Sequence, residues 1–357
     1  MRLVLLGCTI LLLFSCGQKS NDNASVTNKG LKPYSTGKIS ELNVYVDDYY
    51  KTLPFRDSVL YFLDRPYLIV PIPSPTADIK ERSIASFTDS NNETTANNLF
   101  VVNVEESSDI LDLAELYLKR SYIDEALEGK EMALVRVKDV NSEPQQLFFL
   151  LAKNYPNVAR KELSSQLKGY MQDVLNATLD VDNQRLLSSM SSRRNKQLEN
   201  LVKEKFGVDM VIPREYTLVD TTENFAWIWK TTPQLYSSIV FYKSNESAEN
   251  IADKVLPIRD NFGTKITTET ENSRMSTLSD KKPYPIQRDL ELNGKDVVET
   301  RGLWEMENDF LGGGFVNYAW ENASGNITVA DGFVYYSDDE QRRQMRDIDA
   351  IFSSIKP

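Results

Sequence analysis

The chain has 357 residues, 41 Lys plus Arg against 52 Asp plus Glu, and no histidine. The missing imidazole excludes Ser-His-Asp and Cys-His nucleophiles, histidine general bases and His-ligated zinc or iron. A formal net charge of −11 repels phosphate backbones and anionic headgroups, so nucleic acid is not an expected partner.

The chain opens with Met1-Arg2, an apolar run from Leu3 to Phe14, then Ser15 and Cys16. A basic start, a short hydrophobic stretch and a small residue before Cys describe a bacterial lipoprotein signal peptide, residues 1–15, cleaved before Cys16. The run is shorter than the roughly 20 apolar residues that span a bilayer. Cys8 leaves with the signal and acylation of Cys16 consumes the last thiol, so the folded part holds neither a disulfide nor a thiolate. An ordinary secretory leader that contains a Cys by chance is the alternative. Residues 16–37, rich in Ser, Asn, Lys and Gly, read as a flexible tether with a reach of roughly 25 Å.

From Lys38 the patterning becomes globular. Ile39 to Val46 alternates as a strand, and Pro54 to Leu63 reads as a helix. Tyr67 to Ile72 is a short apolar run ended by prolines. Leu99 to Val104 predicts a strand, followed by a helix over Asp109 to Arg120. Two stretches then share one order. Met132 to Asp139, a Pro144-Gln145 turn and Leu147 to Asn154 lead into a helix from Asn157. Phe225 to Lys230, a Pro233-Gln234 turn and Leu235 to Asn245 lead into a helix from Glu246. Either the chain is duplicated or two ordinary ββα units look alike. Between them, Asp180–Asn183 supplies cap residues for a second helix that ends at Gly207. Strands follow at about Asp296 to Met306, Phe315 to Glu321 and Ile327 to Tyr336. Ser337–Glu340 reads as a capping box for a last helix with Met345, Ile348, Phe352 and Ile355 on one face. The expected units are 38–180 and 181–357.

Gly302-Leu-Trp-Glu305, Asp309-Phe-Leu-Gly-Gly-Gly-Phe315 and Asp331-Gly-Phe-Val-Tyr-Tyr336 resemble an uncharacterised lipoprotein family of Bacteroidota whose members carry a domain of unknown function. The Arg-rich terminal helix, Phe206-Gly-Val208, Ile212-Pro213 and Asn224-Phe-Ala-Trp-Ile-Trp229 fit the same family, from about Lys203 to the C-terminus. Gly314 stands where the family pattern has Pro. The resemblance implies an envelope lipoprotein and transfers no catalytic residue.

Several constellations could carry chemistry. Glu305, Glu307 and Asp309 crowd one strand end beside Trp304 and Arg301, where paired carboxylates could serve a hydrolase or lyase on envelope glycan. Alternate residues on a strand are also often just its wet side. Trp227 and Trp229 share a face with Phe225, which suits either a carbohydrate-binding platform or a packed core. Gly312-Gly-Gly314 could cradle an anion, but no Lys-Ser/Thr and helix follow, so a wide turn or bulge needing φ > 0 is expected. Ser-x-x-Lys recurs four times without the companion motifs of a Ser-Lys enzyme and reads as solvated surface.

Together these residues predict an α+β protein of two similar mixed α/β units, with mostly antiparallel sheets packed by helices. Its expected role is non-catalytic binding or assembly in the cell envelope, with no metal and no cofactor. The expected partners are the membrane, reached through the lipid on Cys16, and an envelope protein or glycan. The nearly neutral run after Cys16 predicts a body facing the periplasm from the outer membrane.

Overall fold

Two sheets form because two kinds of strand pattern occur, and the computed structural model describes them over residues 31–89, 92–154, 156, 159–336 and 341–357. The expected signal peptide, Cys16, most of the tether and Ser337–Glu340 lie outside these residues. The first sheet has strands β1 (Glu41–Val46), β2 (Asp78–Arg82), β3 (Asn97–Asn103), β4 (Met132–Lys138) and β5 (Gln146–Ala152), in the order β2-β1-β3-β5-β4. β2, β1, β3 and β5 are parallel, and β4 closes one edge antiparallel to β5. β3 and β5 are buried at every position, the continuous burial of strands covered on both faces. Helices α1 (Pro54–Leu63) and α5 (Lys161–Ser191) cover one face. Helices α2 (Ile84–Asp89), α3 (Asp109–Leu118) and α4 (Arg120–Ala126) cover the other, over Tyr45, Phe100 and Phe149.

The second sheet is antiparallel and 8-stranded. After α6 (Lys196–Phe206) come β6 (Thr217–Thr221), β7 (Phe225–Thr232), β8 (Leu235–Ser247) and α7 (Ile251–Gly263). Strands β9 (Arg274–Leu278), β10 (Ile286–Leu292), β11 (Lys295–Glu307), β12 (Gly312–Glu321) and β13 (Asn326–Tyr336) precede the last helix, α8 (Arg342–Phe352). The strand order is β10-β11-β12-β13-β8-β7-β6, with β9 added beside β11. Ala226, Ile228, Phe241 and Val316 face α6 and α8. Phe225, Trp227, Phe315 and Phe333 face Val255, Ile258 and Phe262 of α7. Among the described residues no helix is long and apolar enough to cross a membrane.

The class is α+β, and antiparallel pairings predominate across the two sheets. The two units are not alike, however. β4-β5 and β7-β8 are both antiparallel hairpins, so the local ββα likeness is real. Yet one hairpin joins a mainly parallel sheet and the other an antiparallel one. A parallel sheet needs helical crossovers that the second unit does not use, so the likeness does not extend to a duplicated half.

The expected boundary after residue 180 falls inside α5, which runs unbroken from Lys161 to Ser191. Asp180–Asn183 caps nothing. The true break is capped by Asn195, whose side chain accepts from the Leu198 N–H, and α6 ends at Gly207 with φ of 75°, as a C-terminal glycine should. The first part of α5 packs Leu163, Leu167 and Val174 on the first sheet. Its later residues Leu179 and Met190 pack against the second core. One helix of about 46 Å therefore joins the two units.

The tether also ends sooner than expected. Ser35 N–H donates to Glu143 O (3.3 Å) and Thr36 N–H to Thr94 O (2.9 Å), while Ala96 N–H donates to Thr36 O (3.1 Å). These main-chain bonds dock residues 33–36 on the first unit.

Gly312–Gly314 is neither a wide turn nor an anion loop. All three residues lie in β12, and none has positive φ. Close approach explains them instead. A Cβ on Gly313 would stand 1.9 Å from Val334 O and 2.6 Å from Gln341 Oε1. Gly313→Ala is therefore expected to cost about 2–3 kcal/mol by forcing β12 from β13, measured by urea unfolding. A loss under half a kilocalorie would show that the strand pair gives way freely.

Candidate functional site

The structure places the expected carboxylates at the end of β11 without making them a reacting pair. Glu307 is held by Arg274 (2.6 Å). Asp309 accepts from Thr268 Oγ1 (2.6 Å), Thr270 Oγ1 (3.1 Å) and its neighbour's N–H, Phe310 (2.7 Å). These bonds, that from Thr268 foremost, hold its carboxyl below the usual carboxylate range, the wrong direction for a general acid near neutrality. Glu305 is half-buried, and its carboxylate makes no hydrogen bond or ion pair among the described residues.

Trp227 lies in the core under α7 at 9% exposure, with its indole N–H on Ser238 Oγ (3.2 Å). Trp229 is half-buried and continues outward in an aromatic row, 5.6 Å from Trp227 and 5.8 Å from Tyr236 between ring centroids. Ala226 and Ile228 on the opposite face are buried as well, because this strand is covered on both sides. Trp227 therefore offers a ligand no open ring face.

Two open cavities of about 560 and 640 Å³ flank the carboxyl end of β3. Their lining includes Glu105, Glu106, Glu115 and Arg120, and Arg120 pairs with Glu115 (3.3 Å) and Asp124 (3.0 Å). Among the described residues no three carboxylates converge as a metal site would require.

A third cavity differs in charge and enclosure. It occupies about 430 Å³ between the first turns of α8, the Lys38–Ser40 segment before β1, Asp78 at the start of β2 and Leu186 of α5. Arg342 reaches Pro75 O (2.6 Å) and both oxygens of Asp78 (3.0 and 3.1 Å). Arg346, 1% exposed, donates to Asp182 Oδ2 (2.9 Å) and Ser40 Oγ (3.4 Å). Its Nε, also buried, has no acceptor among the described residues. Asp182 further accepts from Ser40 N–H (2.8 Å). Burial pushes the Asp182 carboxyl up, and Arg346 only partly offsets this. Asp347 pairs with Lys230 (3.5 Å). Lys38 and Arg343 also line the cavity, both exposed. Neither has an ion-pair partner among the described residues.

With this geometry in view, comparison with known proteins places one part of the chain. Residues 195–354 match a domain of unknown function, DUF4837. The DUF4837 domain runs from the cap of α6 to the end of α8 and covers the region of the sequence resemblance. It supplies the α8 wall of the basic cavity, while Lys38, Ser40 and Asp78 come from outside it. No curated protein matches the chain.

Solved structures give distant likenesses. A Bacteroides thetaiotaomicron protein is 7% identical over 42% of this chain and 44% of its own, with a TM-score of 0.23. LpqN of Mycobacterium tuberculosis, described as involved in cell envelope biogenesis, is 14% identical over 42% of this chain and 83% of its own (TM-score 0.25). The human StarD13 lipid transfer and protein localization domain is 13% identical over 45% and 96% (TM-score 0.21). The chain thus spans less than half of the Bacteroides protein. At these TM-scores none of the three speaks to what the DUF4837 domain does.

The basic cavity escaped sequence reasoning because its cations lie about 300 residues apart, on either side of the whole first unit. The Arg-rich start of the last helix was its one visible trace.

Proposed function

We propose that this protein is an envelope lipoprotein, acylated on Cys16, whose folded part binds a ligand rather than transforming one. The observation that carries the binding reading is the partly open basic cavity of about 430 Å³. Its size lies in the range of small-molecule sites, roughly 300–1,000 Å³, and its charge opposes that of the acidic chain around it. The engagement of Glu307 and Asp309 in local hydrogen bonds weighs against the glycan hydrolase or lyase alternative. The lipid reading rests on the Ser15-Cys16 junction behind a short apolar run. With a lipid anchor and a nearly neutral tether, the body faces the periplasm from the outer membrane.

Labelled palmitate is expected in the wild-type chain and absent from Cys16→Ala, with protease on intact cells leaving the wild type uncut. Equal label in both chains would overturn acylation at Cys16. Digestion of intact cells would place the body on the cell surface instead.

A further inference from the structure

We propose that the cavity between α8 and the Lys38–Ser40 segment binds a phosphate monoester group. The inference deepens the binding reading above by naming the ligand chemistry. It rests on charge balance among the residues that line one cavity. Arg342 is neutralised by Asp78, Arg346 by Asp182, and Asp347 by Lys230. Lys38 and Arg343 have no ion-pair partner among the described residues, so the described lining carries two more positive than negative charges in a chain of net charge −11. A phosphate monoester carries about −1.5 to −2 at neutral pH and matches that excess, whereas a carboxylate or a phosphodiester supplies only one charge.

The donor set fits as well. A guanidinium fork and an ammonium are the groups that grip phosphate oxygens, the first by paired N–H bonds and the second as a point charge. The first turn of α8 adds the positive end of an 11-residue helix to the same wall. The cavity holds only about 430 Å³, enough for the phosphate and a small organic body.

The test uses the mature chain carrying Cys16→Ala, exported behind a cleavable secretory leader, so that no lipid confuses the result. Thermal unfolding is followed during titration with inorganic phosphate, with chloride holding the ionic strength constant. The melting temperature is expected to rise with phosphate, because a ligand that binds only the folded state stabilises it. The double variant Lys38→Ala/Arg343→Ala removes two exposed side chains. It should melt at the wild-type temperature without phosphate and bind phosphate at least about tenfold more weakly, as the loss of charge-assisted bonds implies. A melting temperature indifferent to phosphate, or an equal rise in the double variant, overturns the proposal.

Flotation with phosphatidylcholine vesicles, with and without phosphatidic acid, then separates the sources. Binding to phosphatidic acid that the double variant loses identifies a lipid headgroup. A phosphate response without vesicle binding identifies a soluble phosphomonoester, and either result supports the site. Failure of the phosphate titration leaves the palmitate result standing, so the two readings fail separately.

Discussion

Asp331→Ala is expected to destabilise the protein by about 3–5 kcal/mol, because it strands a buried guanidinium without its counter-charge. Asp331 on β13 and Arg259 on α7 are both 0% exposed, with Arg259 Nε 3.0 Å from Asp331 Oδ2. Asn317 Nδ2 donates to the same oxygen (2.9 Å). The guanidinium carbon also lies 3.8 Å from the Phe315 ring centroid, a cation–π contact that the substitution leaves in place. The double variant Arg259→Met/Asp331→Leu keeps the volume and removes both charges. It should cost far less than the single change, since a buried ion pair contributes little net stability and mainly penalises its own disruption. Urea unfolding of wild type, both single variants and the double decides this. Additive losses would mean that the two residues act independently.

The same pair gives a pH dependence of definite sign. Burial pushes the Asp331 carboxyl above its ordinary 3.8, and the Arg259 charge only partly offsets this. The folded protein therefore takes up that proton before the unfolded chain does. This contribution to stability is fully present below 3.8 and is lost as pH rises through the raised folded value. The wild type should gain on the double variant as pH falls through that window. A difference that moves the other way would mean the ionised pair is the favoured form.

Asp182→Ala is expected to cost a similar 3–5 kcal/mol, by the same uncompensated-charge argument applied to Arg346. Asp182 is 0% exposed and Arg346 1%. The carboxylate gathers Arg346 of α8, Ser40 N–H ahead of β1 and, at 3.5 Å, Arg185 of its own helix. It thus pins the last helix of the DUF4837 domain to the first strand of the other unit. The loss should appear in urea unfolding together with faster proteolysis at this junction. A variant as stable as wild type would show that apolar packing along α5 and α8 holds the units by itself.

Elements whose cause is local were legible in the sequence. Pro54–Leu63 forms the helix its spacing predicts, with Pro54 at the first position. The hairpins β4-β5 and β7-β8 and the buried stripe Met345, Ile348 and Phe352 of α8 appear where periodicity put them. The exposed edge β6 carries no alternating apolar face, and in the mostly exposed β10 the alternation of Ile286, Leu290 and Leu292 is interrupted by Arg288, so periodicity had little to detect.

What failed depends on distant partners. Asp180–Asn183 looks like a helix start because free Asp and Asn side chains compete for backbone N–H groups. Asp182 does not compete, since Ser40 and Arg346, 142 and 164 residues away, donate to its Oδ2 and Asn97 donates to its Oδ1. α5 therefore runs on. Gly312–Gly314 looks like a turn because glycine permits positive φ. Here its use is the missing Cβ, since the Val334 carbonyl and the Gln341 side chain fill that space. Composition and local order thus determined the element types, the α+β class and the chemistry excluded by the lack of histidine. Tertiary structure alone decided the parallel pairing of the first sheet, the helix shared by both units and the cavity its end helps to wall. The strands that pair in parallel lie 37 to 55 residues apart, and the shared helix and the cavity depend on groups more than a hundred residues apart, where no local preference reaches.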